Sequence, residues 1–221
     1  MKNPAPMAID PYAHAPRLPE GPVDPRELFH DWTAGASGPP PVSDRAAAVE
    51  LEIGPGRGWF TSERIDADPE VRVVGLEVRR KWATIVDDRL RTRGYGHRGR
   101  VFAEDVKQAL PRFTDRSLSK AYLHFPDPWW KKRHEKRLVL GSELLEQLCR
   151  VLVPGGELLI QTDVPDRADQ YERLVAACSG FAPWEAQSRV ADHPHGARSP
   201  RERKAIADGL PVVRLRYRSL G

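Results

Sequence analysis

This 221-residue chain predicts a doubly wound α/β fold: a mostly parallel sheet with helices on both faces and an antiparallel finish. Three observations carry that expectation. A strand-like run, Ala46 to Ile53, enters the turn Gly54-Pro55-Gly56-Arg57-Gly58 and leaves as a helix from Trp59 to Ile65. Strand, glycine turn and helix open a nucleotide-binding α/β unit. Short apolar runs then alternate with amphipathic stretches of helical period, the pattern of crossover-connected parallel strands. Lastly, Trp184 to Val190 and the alternating run Val212 to Tyr217 suit an antiparallel edge.

Taken in order, residues 1–43 are proline-rich, with Pro39, Pro40 and Pro41 in a row. They read as a largely irregular N-terminal arm ahead of one domain over 44–221. One exception is Asp24-Pro25, a cap followed by a proline suited to a first helical position, with Leu28 and Phe29 able to dock. After the glycine turn, Val71 to Val74 is a second strand, ending at Gly75-Leu76-Glu77, and Arg79 to Arg93 a helix. Arg100 to Ala103 is a third strand and Leu118 to Phe125 a fourth. Leu138 to Leu152 reads as a helix stopped by Val153-Pro154-Gly155-Gly156; Glu157 to Thr162 is a fifth strand, and Asp166 to Ala177 a helix. His193 to Arg203 reads as a polar loop.

Composition bounds the function. With 40% hydrophobic and 30% charged residues the chain is globular. No apolar run approaches the ~18 residues that span a bilayer, and no apolar signal core opens the chain, so a cytoplasmic location is expected. Cys149 and Cys178 lack metal-ligand spacing and are expected on helices. No ligand cluster names a metal. A net charge of +4 and a pI near 9.2 are compatible with a nucleic-acid partner.

The most informative stretch runs from His124 to Arg137. Pro126 and Pro128 bracket Asp127, so the segment leaves the sheet as a stiff loop. Trp129 and Trp130 follow, then Lys131, Lys132, Arg133, Lys136 and Arg137. Aromatic rings stack bases, cations hold phosphates, and a fixed carboxylate accepts from base N–H groups. At least one of the tryptophans is expected in the core, and His134 at a phosphate or in solvent. Further acids stand where a nucleoside cofactor needs them. Glu52 precedes the glycine turn and suits an ammonium group. Glu77, 19 residues beyond Gly58, suits ribose hydroxyls, and Asp105, beside Glu104, suits an adenine amino group. An acid before the turn would oppose a pyrophosphate, and the spacing is Gly-x-Gly-x-Gly. Both favour S-adenosyl-L-methionine over a dinucleotide.

These pieces resemble the bacterial tRNA (guanine-N7-)-methyltransferases, class I S-adenosylmethionine-dependent enzymes. The matching segments are Leu51 to Gly58, Gly75 to Val78, Asp105, Phe125 to Trp129 with the basic run to Arg137, and Gly156 to Asp163. Together they span roughly residues 48–218. The resemblance implies a Rossmann-like, seven-stranded fold and methylation of guanine N7 in the variable loop of tRNA. It implies a cofactor pocket of Glu52, Gly54, Gly56, Gly58, Glu77, Asp105 and Asp127, with Asp127 also catalytic. Lys131, Asp163, Ser199 and Glu202 would contact the substrate, and Arg133, Lys136 and Arg137 its phosphates. The family's Thr-x-aromatic-Glu is here Ser199-Pro200-Arg201-Glu202, with arginine in place of the aromatic; Ser-x-x-Glu is equally a helix-capping pattern. tRNA is the implied partner, with no membrane, a monomer or homodimer, and no obligate protein partner. Methylation of another RNA base or a protein, a non-catalytic RNA-binding protein and an NAD-dependent oxidoreductase remain rival readings.

Overall fold

The computed structural model describes residues 10–29, 49–126 and 138–221. Its strands are β1 (Val49–Ile53), β2 (Arg72–Leu76), β3 (Gly99–Phe102), β4 (Leu118–His124), β5 (Leu152–Thr162), β6 (Phe181–Pro183), β7 (Arg189–Val190) and β8 (Val213–Ser219). The helices are α1 (Trp59–Ala67), α2 (Arg80–Thr92), α3 (Val106–Ala109), α4 (Ser142–Val151), α5 (Pro165–Ala176) and α6 (Pro200–Ala207). The sheet order is β3-β2-β1-β4-β5-β8-β6, with the two-residue β7 paired to β8 off this path. β1 to β5 are parallel, and β8 runs antiparallel to β5, β6 and β7. Strand order reverses between β1 and β4, so a crevice opens beyond their carboxyl ends, where open α/β sheets bind ligands.

Burial on both faces explains a misleading pattern in β1. Val-Glu-Leu-Glu-Ile alternates like a half-exposed strand, yet all five residues are buried. Val49, Leu51 and Ile53 join the main core with α4 and α5. Glu50 and Glu52 face the other way, under α1. Glu50 is fully buried and neutralised there: both oxygens accept from Arg64 at 2.8 Å, Lys120 Nζ approaches to 2.5 Å and the Tyr122 hydroxyl donates at 2.9 Å. Burial, and then the charge of Glu50, raise the Tyr122 phenol well above its ordinary pKa, so it remains a donor.

Several boundaries depart from expectation. β5 is one 11-residue strand that runs through Pro154-Gly155-Gly156 instead of starting after it. Leu118 pairs with Leu152 but Lys120 with Glu157, so the extra residues bulge out, which is how a strand tolerates proline. α4 begins only at Ser142, because Gly141 is extended and Leu140 turns into the core. Of the expected strand 184–190 only its end, β7, is strand; β6 ends before it at Pro183, and the residues between them bend, with Trp184 stacked on the Arg216 guanidinium at 4.0 Å. The polar loop 193–203 contains the start of α6, capped by Ser199. Cys149 lies on α4, but Cys178 falls just beyond α5.

The arm docks. Asp24 caps a 3-10 turn, Pro25–Glu27, as its sequence suggests, and Leu18, Val23, Leu28 and Phe29 are buried in the main core. Arg17 and the Leu18 amide bind the buried Glu104. Trp129, Trp130 and His134 lie outside the described residues.

Candidate functional site

The glycine turn gathers the first wall. Gly54, Gly56 and Gly58 all have positive φ, a region that side chains disfavour. Gly58 has a second reason to lack a side chain: a Cβ there would stand 2.2 Å from Val86 Cγ1 of α2. Packing alone therefore requires glycine at the start of α1. Gly58→Ala is expected to lower stability by about 2–5 kcal/mol, from overpacking and left-handed strain combined. A urea unfolding curve matching the wild type would refute this.

A cavity of about 610 Å³ lies beyond the ends of β1 and β4. Glu52, Gly54, Gly56 and Arg57 line it from the β1–α1 turn. His124, Phe125 and Pro126 line it from the end of β4, and Thr162 and Asp163 from the end of β5. Ser199, Pro200 and Arg201 close it from the start of α6, with Arg79 and Arg167 also on its wall. Phe125 holds φ +49, rare for a side-chain-bearing residue, while its amide still donates to Gln161 at 2.8 Å. Such strain costs about 1–3 kcal/mol and clusters at functional sites. Here it swings the chain out of the sheet just before Asp127.

Of the residues expected at the site, the structure brings Glu52, Gly54, Gly56, Asp163 and Ser199 onto one cavity. Glu52 is 3% exposed and accepts the Thr61 hydroxyl. Gly58 and Glu77 sit behind the same turn. Glu77 is buried, and its carboxylate accepts from the Gly56 amide at 2.9 Å and from the amide and Nε of Arg79 at 3.0 and 2.9 Å. Asp105 is exposed beyond β3 and caps α3, accepting from Lys107 N at 2.9 Å. The adjacent Glu104 points into the molecule at Arg17, which distinguishes the two acids. Asp163 pairs with Arg201, the arginine that stands in the aromatic position of the Thr-x-aromatic-Glu pattern.

Ser199 does two things: it lines the cavity, and its hydroxyl accepts from Glu202 N at 3.1 Å as the cap of α6. Glu202 is fully buried and bound to Arg214 at 2.6 Å, off the cavity wall. Asp127, Lys131, Arg133, Lys136 and Arg137 lie outside the described residues.

Several pairings were not anticipated. Thr61, Arg79 and Arg201 each hold one of the expected acids, and His124 lines the cavity beside Glu52. Thr61 was discernible, since it follows the glycine turn on the helix that covers β1; the others depend on distant neighbours. Chemically the site offers a buried carboxylate for a cation, backbone that a ligand can approach closely, and arginines at the rim for anions. Among the described residues, no group of three or more His, Cys, Asp and Glu side chains is arranged to hold a metal ion, and no helix is long and apolar enough to cross a membrane.

A family model described as "Putative methyltransferase" matches residues 46–215. A tRNA (guanine-N(7)-)-methyltransferase of Myxococcus xanthus is 37% identical over 86% of this chain and 89% of its own length. One from Anaeromyxobacter dehalogenans is 36% identical over 86% and 92%. Among solved structures, 16S rRNA methyltransferase KamB superposes with a TM-score of 0.57 at 18% identity, over 79% of this chain and 88% of that one. A geranyl diphosphate methyltransferase in complex with S-adenosylmethionine gives 0.52 at 14% identity, over 88% and 83%.

Proposed function

The chain belongs to the tRNA (guanine-N7-)-methyltransferase family, and from that premise we infer that it moves a methyl group from S-adenosyl-L-methionine to N7 of a guanine in tRNA. We propose the variable loop as the place of that guanine, residues 44–221 as the catalytic domain behind the arm 1–43, and action in the cytoplasm without an obligate protein partner.

One observation carries the assignment of the site: a buried carboxylate, Glu52, faces a cavity at the strand-order reversal that Phe125 and Pro126 also line. The residues fit the cofactor. Glu52 receives its ammonium group, with Gly54 and Gly56 giving backbone access. Glu77 meets the ribose hydroxyls by releasing Arg79, whose side chain is 60% exposed. Asp105, exposed at the next strand end, takes the adenine amino group. When bound, the cofactor supplies an electrophilic methyl on a sulfonium.

Guanine N7 carries a free lone pair, so no proton must leave before attack. The protein's work is positioning, which lowers a barrier by up to roughly 7–11 kcal/mol. Asp127 accepts from the guanine N1–H or amino group and stabilises the positive charge that develops on the ring. Asp163, held by Arg201, and Ser199 orient the base, with Glu202 anchoring that loop through Arg214. Lys131, Arg133, Lys136 and Arg137 neutralise phosphates, so tRNA affinity falls as salt rises.

The test is to incubate the protein with labelled S-adenosylmethionine and tRNA lacking the modification, then map the labelled nucleotide. Label as 7-methylguanine in the variable loop is expected, with Asp127→Asn turning over about 10²–10³-fold more slowly. Label at another base would overturn the assigned target, and near-normal turnover of the variant would overturn the role of Asp127.

A further inference from the structure

A line of side chains runs from the C-terminal loop to Glu52, and none of its other members belongs to the chemistry above. His193 lies in the segment leading to Ser199, and His124 ends β4. Their Nε2 atoms are 3.4 Å apart, across 69 residues of sequence. His193 Nδ1 accepts from the His195 amide at 3.3 Å. His124 Nδ1 lies 3.5 Å from Glu52 Oε1, and the His124 side chain is only 5% exposed, with that nitrogen lacking a hydrogen bond. His195 is anchored in turn, its Nε2 2.9 Å from Glu157 Oε2. Burial opposes the charge on Glu157, but His195 and Arg216 outweigh it and hold its carboxyl below the usual range.

Proton placement along this line follows from the donor count. Burial, with His124, His195, Arg214 and Arg64 nearby, pushes His193 down to about 2, so at neutral pH its ring carries one proton. Nδ1 is already an acceptor, so that proton is on Nε2 and points at His124. His124 Nε2 must then accept. A singly protonated His124 consequently carries its hydrogen on Nδ1, facing Glu52. The line is directional: His195 N–H to His193, His193 N–H to His124, His124 N–H to Glu52. Catalytic hydrogen bonds are often long in a free enzyme and shorten in its complexes, which suits the 3.5 Å separation. Thr61 holds the other Glu52 oxygen. With both oxygens approached by donors, the carboxylate keeps a defined orientation and spare lone pairs.

Resting on the reading that Glu52 receives the cofactor's ammonium group, we propose that His193, acting through His124, is a positioning residue for Glu52, and that the loop carrying Ser199 thereby sets cofactor affinity. The same segment faces the substrate side of the cavity through Ser199, so this line couples the two sides of the site.

The experiment compares binding of S-adenosylhomocysteine with that of methylthioadenosine, which shares the nucleoside but lacks the amino acid group. His193→Phe preserves a flat ring against Phe60 and Tyr122 while removing the donor. Its affinity for S-adenosylhomocysteine is expected to fall by up to about tenfold, the upper scale of one neutral hydrogen bond, with methylthioadenosine unaffected. His193→Gln, which retains an N–H donor, is expected to recover part of the loss. Equal losses for both ligands would mean that His193 only supports the wall, and no loss for either would mean that no positioning occurs; each overturns the proposal. If the Phe variant does not fold, His193→Leu gives the same ratio. Glu52→Gln is the control: wild-type affinity there would overturn the ammonium assignment itself, whereas a weakened control beside an unaffected His193 variant would overturn the positioning role alone.

Discussion

Glu50→Gln is expected to destabilise the protein by about 3–5 kcal/mol, because it removes the buried anion shared by Arg64 and Lys120 beneath α1 and leaves Arg64 only the part-exposed Asp68 as a partner. At ~2–4 °C per kcal/mol for a domain of this size, the melting temperature drops by roughly 6–20 °C. The substitution changes one atom and little volume, so the loss isolates the charge. Glu50→Gln combined with Arg64→Met should recover part of it, since replacing both members of a buried pair is far less costly than removing one. Thermal melts of the three proteins decide the matter; a single variant as stable as the wild type would show that the cluster contributes nothing.

For Glu52→Gln the expected effect is on the ligand. Cofactor affinity should fall by about 100-fold or more, equivalent to ~2.7 kcal/mol, in the range for truncating one partner of a buried charge pair. Stability should change little. Glu52 has the Thr61 hydroxyl and the edge of His124 as neighbours, but no buried guanidinium bound to it as Glu50 has. Calorimetric titration beside a thermal melt separates the two acids, which lie two residues apart on one strand face. If both variants lost stability equally and neither lost affinity, Glu52 would be a structural acid like its neighbour.

That contrast shows what a linear reading can and cannot see. The glycine turn, the acid before it and the acid 19 residues after it were legible because local chemistry demands them: left-handed backbone and strand-end placement. Strand and helix order was legible because burial writes its period into the residues. Boundaries were less so. Pro154-Gly155-Gly156 carries every local signal of a stop, yet pairing with β4 and β8 outweighs it and a bulge absorbs the excess.

By itself, then, the sequence determined the doubly wound architecture and the family, since each depends on residues close together in the chain. Only the tertiary structure decided that Glu50 is locked in a buried ion cluster while Glu52 lines the cavity, and that Glu104 is buried while Asp105 is exposed. Only it placed Arg201 on Asp163, the arm on Glu104 and His193 on His124. In each case the deciding partner is distant in the chain, and the cost of burying an unpaired charge or polar atom selects it.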